Sequence, residues 1–176
     1  KPINWANVVT FTRFIISIPL ILYILPQGFM RTGLGIFILA SVLDAIDGPL
    51  ARRYGQVTKF GALADTLADK ILICGALIAL SFVKESFVSI PMLVMVCSRE
   101  IFITLIRHVY KPLSSDMFGK IKMWVQSTTI ALVLFHLGFE KLPETALVST
   151  LWFMSIFTCV SGVWYLQRIV KEKTDH

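Results

Sequence analysis

Charge is scarce in this chain: 16% of its 176 residues are charged and 56% are hydrophobic. That balance excludes an ordinary soluble domain of this size. Cysteine is scarcer still. Cys74, Cys97 and Cys159 sit in apolar stretches without CxxC or Cys/His spacing, which excludes a zinc site or a disulfide framework and suggests small buried core residues. There is no low-complexity segment and no linker, so residues 1–176 read as a single domain. No small-residue cleavage site follows the first apolar stretch, so a removable signal peptide is not expected. No basic stripe interleaved with stacking aromatics exists, so nucleic acid is not an expected partner.

What the chain has is long apolar runs. Six of them, near 7–25, 32–52, 62–82, 89–110, 118–137 and 147–170, approach the ~20 residues that cross a hydrocarbon core. The expected fold is all-α integral membrane with six transmembrane helices. Basic residues set the orientation. Eleven Lys and Arg lie at one set of helix ends, against Arg31, Lys84 and Lys141 at the other. Loops that stay in the cytoplasm collect such residues, so both termini are expected to be cytoplasmic. The net charge of +6 is then a topology signal, and a basic face also favours anionic headgroups and phosphorylated substrates.

Charge inside a span costs at least ~2.5–3.5 kcal/mol at the helix centre, so each such residue needs a reason. Asp44 and Asp47 are three apart and Asp65 and Asp69 four apart, which puts each pair on one face of its own helix. If the second and third helices are antiparallel neighbours, the four carboxylates converge. Unneutralised, they would repel one another. Bound divalent cations remove the conflict, and oxygen ligands without His or Cys favour Mg²⁺ or Mn²⁺ in a two-metal site suited to phosphoryl-type transfer. Two other readings stand beside this one: a salt-bridge network with Arg52, Arg53, Lys59 and Lys70, and a cation transporter, since intramembrane acids also line ion paths. Gly48, Ala51 and Gly61 allow close helix packing and also leave room for a flat nucleotide. The planar fork of Arg52 suits a diphosphate.

Asp44-x-x-Asp47-Gly48-x-x-Ala51-Arg52, eight residues, Gly61-x-x-x-Asp65-x-x-x-Asp69 resembles the signature of the CDP-alcohol phosphotransferase family at every fixed position. The resemblance implies a Mg²⁺- or Mn²⁺-dependent membrane enzyme that cleaves a CDP-linked donor, releases CMP and joins the phosphoryl group to an acceptor hydroxyl. It implies Asp44, Asp47, Asp65 and Asp69 as metal ligands, with Asp69 also the base that takes the hydroxyl proton. It places Gly48, Ala51, Arg52 and Gly61 at the cytidine diphosphate. Asn7, Thr10 and Arg13 share one helical face, and an Asn-x-x-Thr-x-x-Arg opening is similar to that of many relatives. Asn7 and Thr10 are therefore candidates for the donor site, with helix capping and interfacial snorkelling of Arg13 as the alternative.

Ser98-Arg99-Glu100-Ile101, followed by Gly119-Lys120-Ile121-Lys122 and Gln126, is similar to bacterial-type phosphatidylglycerophosphate synthases, departing at Met123, where threonine is usual. Within the family this implies CDP-diacylglycerol as donor and sn-glycerol 3-phosphate as acceptor, with Arg99, Arg107, Lys120 and Lys122 the acceptor-binding candidates. Phosphatidylglycerol, inositol phosphate or serine are the other acceptors to weigh. Arg99 and Glu100 sit mid-helix, where topology does not explain them, and a buried Arg–carboxylate arrangement can brace a polar cavity. Relatives imply a homodimer in the bacterial cell membrane among its lipids, with the active site facing the cytoplasm. Trp152, Phe153, Phe157 and Trp164 read as packing, lipid-contact or dimer-face residues. His108 and His136 receive no role.

Overall fold

The computed structural model describes residues 5–53, 59–109, 117–140 and 142–174. Within them, side chains at 5–10, 46–53, 59–63, 65, 107–109, 117 and 172–174 lie outside the description. The long elements are all helices: α1 (Trp5–Pro19), α2 (Met30–Arg53), α3 (Lys59–Ser81), α4 (Ile90–Val109), α5 (Met117–Phe139) and α6 (Glu144–Thr174). At 1.5 Å per residue, the 24-residue α2 is about 36 Å long and the 20-residue α4 about 30 Å.

Pro19 ends α1, and the chain continues as a π turn over Leu20–Ile24. Proline has no N–H to give the preceding turn and its ring crowds the carbonyl there, which a wider turn relieves. The first apolar run is therefore two helical pieces where one was expected. Gly28, at φ 78°, then reverses the chain into α2, a conformation that a residue without Cβ adopts at little cost.

The helices close a ring in which α1 packs on α2, α2 on α5, α5 on α6, α6 on α4, α4 on α3 and α3 back on α1, with α3 also touching α5. Among the described residues, α2 and α3 share no extensive contact. The condition set for the four aspartates to converge, that these two helices be direct neighbours, is not met among the described residues: α1 lies against both. A short connection makes helices sequential neighbours, but the wider contact surfaces decide which faces meet.

Buried apolar residues form one cluster that includes Phe37, Leu77, Leu80, Val96, Ile130, Leu134, Leu151 and Met154. They come from the first halves of α2, α4 and α6 and the last halves of α3 and α5. Arg13, Glu100, Lys122, Gln126, Thr158 and Ser161 are buried as well, in the other half of the bundle. Its outer surface is the reverse: Ile15, Leu22, Phe82, Ile90, Trp124 and Val170 are each more than 60% exposed. Phe153 is exposed too and stacks on Phe157 at 5.9 Å. The three cysteines are half-buried and free, less enclosed than the sequence suggested. Among the described residues, one helical stretch, Glu144–Lys171, is both long and apolar enough to cross a membrane. The other long helices carry the charged residues of the site.

Candidate active site

Arg13 projects from α1 into the bundle and is fully buried. Its Nη1 donates to Asp44 Oδ1 of α2, and its Nη2 donates to Asp69 Oδ1 of α3 at 2.6 Å. Snorkelling of Arg13 to the interface is thereby overturned: two buried-side carboxylates attract the guanidinium more strongly than the distant headgroup region could. A guanidinium presents five N–H donors in a rigid fork, so one residue can serve carboxylates on two separate helices. Asp44 lies nine residues before the end of α2 and Asp69 ten residues after the start of α3. At 1.5 Å per residue both are about 13–15 Å from that end of the bundle, so the two acids meet at a common depth although α2 and α3 share no extensive contact among the described residues.

Asp44 and Asp69 thus face one point of positive charge, with 19% and 24% of their side chains exposed. Both are hard oxygen donors, and a carboxylate offers about four lone-pair sites, so one bond to Arg13 does not saturate it. This donor chemistry fits Mg²⁺ or Mn²⁺. Among the described residues no group of three acidic, His or Cys side chains forms a cradle. The side chains of Asp47 in α2 and Asp65 in α3 lie outside the described residues, as do those of Asn7, Thr10, Gly48, Ala51, Arg52, Gly61 and Arg107.

The next residue along α3 looks elsewhere. Lys70 Nζ lies 4.0 Å from Glu100 Oε2 and also donates to the Thr66 carbonyl at 3.4 Å. Successive helical residues diverge by about 100°, so Asp69 and Lys70 place an acid and a base of opposite charge into two adjoining regions. Glu100, 5% exposed, is the centre of the second region. Its Oε1 accepts from Lys122 Nζ at 2.5 Å, Gln126 Nε2 at 3.2 Å and Arg99 Nη1 at 3.3 Å. The periphery ties to α6: Arg99 Nη2 donates to Ser161 Oγ at 3.0 Å, and Gln126 Nε2 to Thr158 Oγ1 at 3.2 Å.

Gly162 makes the Arg99 position possible. A Cβ there would sit 3.1 Å from Arg99 Cγ and 3.3 Å from its Nε, so the guanidinium stem lies across bare helix backbone. An open groove of about 530 Å³ between α4 and α6, lined by Met95, Phe102, Leu105, Val163 and Leu166, reaches Arg99.

Of the acceptor candidates, the fold brings Arg99 and Lys122 together and leaves Lys120 apart. Lys122 is 7% exposed, whereas Lys120 is exposed, because two residues turn a helix by about 200°. Lys70, Thr158 and Ser161 did not enter the expected site. The available signals were a lysine beside Asp69 in an apolar helix and two hydroxyls three apart in α6, both of which occur routinely without a site.

The chain belongs to the CDP-alcohol phosphatidyltransferase family, whose sequence pattern matches residues 3–164. It is similar to the CDP-diacylglycerol–glycerol-3-phosphate 3-phosphatidyltransferase of Bacillus subtilis, 33% identical over 94% of each chain. A probable phosphatidylglycerophosphate synthase of Mycobacterium tuberculosis is 32% identical over 96% of this chain and 83% of its own. A probable cardiolipin synthase (CMP-forming) of Drosophila melanogaster is 27% identical over 96% of this chain and 60% of its own.

Proposed function

We propose that this protein transfers a phosphatidyl group from CDP-diacylglycerol to sn-glycerol 3-phosphate, releasing CMP. The observation that carries the reading is the pairing on α3 of Asp69, turned toward Asp44, with Lys70, turned toward the buried Glu100 cluster. One helix turn thereby joins a region that attracts cations to one that attracts a phosphate. The relatives named for glycerol 3-phosphate transfer support the same acceptor.

In this reading Asp44, Asp47, Asp65 and Asp69 hold two divalent cations, Mg²⁺ or Mn²⁺. When bound, these supply neutralisation of the donor diphosphate and of the charge on the departing CMP. Asn7, Thr10, Gly48, Ala51, Arg52 and Gly61 receive the cytidine diphosphate. Lys122 and Arg99 hold the acceptor phosphate by charge-assisted hydrogen bonds, with Arg107 and Lys120 nearer the helix ends on its approach. Asp69 takes the proton from the acceptor hydroxyl, whose oxygen attacks the phosphorus that is losing CMP.

The apolar exterior and the inward-turned charged groups support placing all six helices in a membrane, where lipid replaces water as the outer solvent. With both termini and the site at the cytoplasmic face, the basic helix ends obey the positive-inside pattern. We further propose one domain over 1–176 that functions as a homodimer. The test is CMP release from CDP-diacylglycerol in mixed micelles, with Mg²⁺ or Mn²⁺, across glycerol 3-phosphate, phosphatidylglycerol, inositol phosphate and serine. Release with glycerol 3-phosphate is expected, and its loss on chelation. Release with phosphatidylglycerol alone would reassign the acceptor, and none with any acceptor would return the ion-transport reading.

A further inference from the structure

Cys74 on α3 and Cys97 on α4 meet at the bundle surface, although nothing in their spacing along the chain announces it. The two helices are joined by segment 82–89 and pack against each other, so they run antiparallel. Lys70 and Glu100, 4.0 Å apart, fix their register. One helical turn from that pair toward the connection stand Cys74 on α3 and Cys97 on α4, because residues three or four apart share a helix face. The two thiols hydrogen-bond to each other there, and both are free and half-buried. Cys159 is set apart. Its Sγ donates to the Met95 carbonyl at 3.9 Å, and it lines the α4–α6 groove, which Cys97 does not.

The surroundings decide which chemistry reaches the pair. Leu67, Ile71 and Ile78 are exposed along the same stripe of α3 as Cys74, and Val94 and Ile101 along the same stripe of α4 as Cys97. The thiols therefore lie in the seam of an outward apolar face, open to apolar molecules more than to water-soluble ones. Two sulfurs held in hydrogen-bond contact across packed helices need only a small approach to reach the ~2.05 Å of an S–S bond.

We infer that Cys74 and Cys97 form a redox-active dithiol that an organic hydroperoxide dissolved in the membrane closes to a disulfide. One sulfur attacks the outer oxygen of the peroxide, the O–O bond breaks, the alcohol leaves with that thiol's proton, and a sulfenic acid remains. The second sulfur then attacks the first. The S–S bond forms, the S–O bond breaks, and the hydroxyl departs with the second thiol's proton as water. Each sulfur gives up one electron and the hydroperoxide takes both. The disulfide fixes α3 to α4 one turn from the Lys70–Glu100 pair, so its formation should also slow turnover. That consequence rests on the proposed function, whereas the thiol chemistry does not.

The experiment treats the full-length protein in phosphatidylcholine vesicles with cumene hydroperoxide, alkylates it after denaturation and measures its mass. Two of the three thiols are expected to be lost, with a Cys74–Cys97 peptide on digestion, Cys159 alkylated, and all three thiols restored by dithiothreitol. Three alkylated thiols after treatment would overturn the inference, as would a bond to Cys159 or between copies. Cys97→Ser should give no species lighter by two hydrogens; persistence of that loss would place the bond elsewhere and overturn the inference too. In CMP release, the treated native protein is expected to slow by about threefold or more and to recover with dithiothreitol, while treated Cys97→Ser keeps its own rate within about twofold. A disulfide that forms without changing the native rate would overturn the effect on turnover. No CMP release before treatment would instead overturn the proposed reaction, and the mass would still decide the disulfide.

Discussion

The two polar regions of the bundle are mirror images in charge. Around Arg13, one cation serves two carboxylates, Asp44 and Asp69. Around Glu100, one carboxylate serves three cations. Among the described residues the two arrangements are opposite in sense, and they adjoin through consecutive residues of α3. In the proposed reading the first arrangement faces the divalent cations and the second faces the acceptor phosphate.

The strongest way to break that comparison is to remove the proposed base. Asp69→Asn should lower CMP release by roughly 10³-fold, within the range general bases supply, with CDP-diacylglycerol binding retained; full activity would take Asp69 out of the chemistry. Next comes the opposite region. Lys122→Met should raise KM for glycerol 3-phosphate by about 10- to 100-fold, the equivalent of one charge-assisted hydrogen bond. An equal rise for the donor would erase the division between the two regions.

Arg13→Gln sharpens the first region by its stability. Without the guanidinium, Asp44 and Asp69 repel each other, so the cation-free protein should melt about 5 °C lower. Added Mg²⁺ or Mn²⁺ should then restore more of the melting temperature than it adds to the native protein. A variant with native stability and native cation response would show that Arg13 does not neutralise the pair. Two smaller effects test the second region. Gly162→Ala crowds Arg99 at 3.1 Å and should raise acceptor KM two- to threefold, through displacement of a flexible side chain. Lys120→Gln, on the exposed side of α5, should change it by no more than about threefold, read in the same assay. A larger effect than that of Lys122→Met would invert the assignment.

How much was legible beforehand differs between the regions. The aspartates announce themselves because their spacing is local: residues three or four apart share a helix face whatever the tertiary structure. Arg13 was legible as a residue of that first-helix face, but not as their partner, since it lies 31 and 56 positions away in the chain. The second region was read as four basic candidates, Arg99, Arg107, Lys120 and Lys122, with Arg99 and Glu100 mid-helix as a buried Arg–carboxylate arrangement. That reading grouped Lys120 with Lys122, which the helix turns in different directions, and it set Lys70 only among possible partners of the aspartates, whereas the bundle brings it to 4.0 Å from Glu100.

The sequence by itself determined the helical class, six helix positions to within a few residues, the family and the pairing of the aspartates on single helix faces, because apolar run length and helical periodicity act over short stretches of chain. Only the tertiary structure decided that α1 lies against both α2 and α3, that Arg13 joins two aspartates, and that Glu100 gathers cations from three helices. The reason is physical: burial and charge pairing depend on which faces of distant helices meet, and that is settled by packing the whole ring at once.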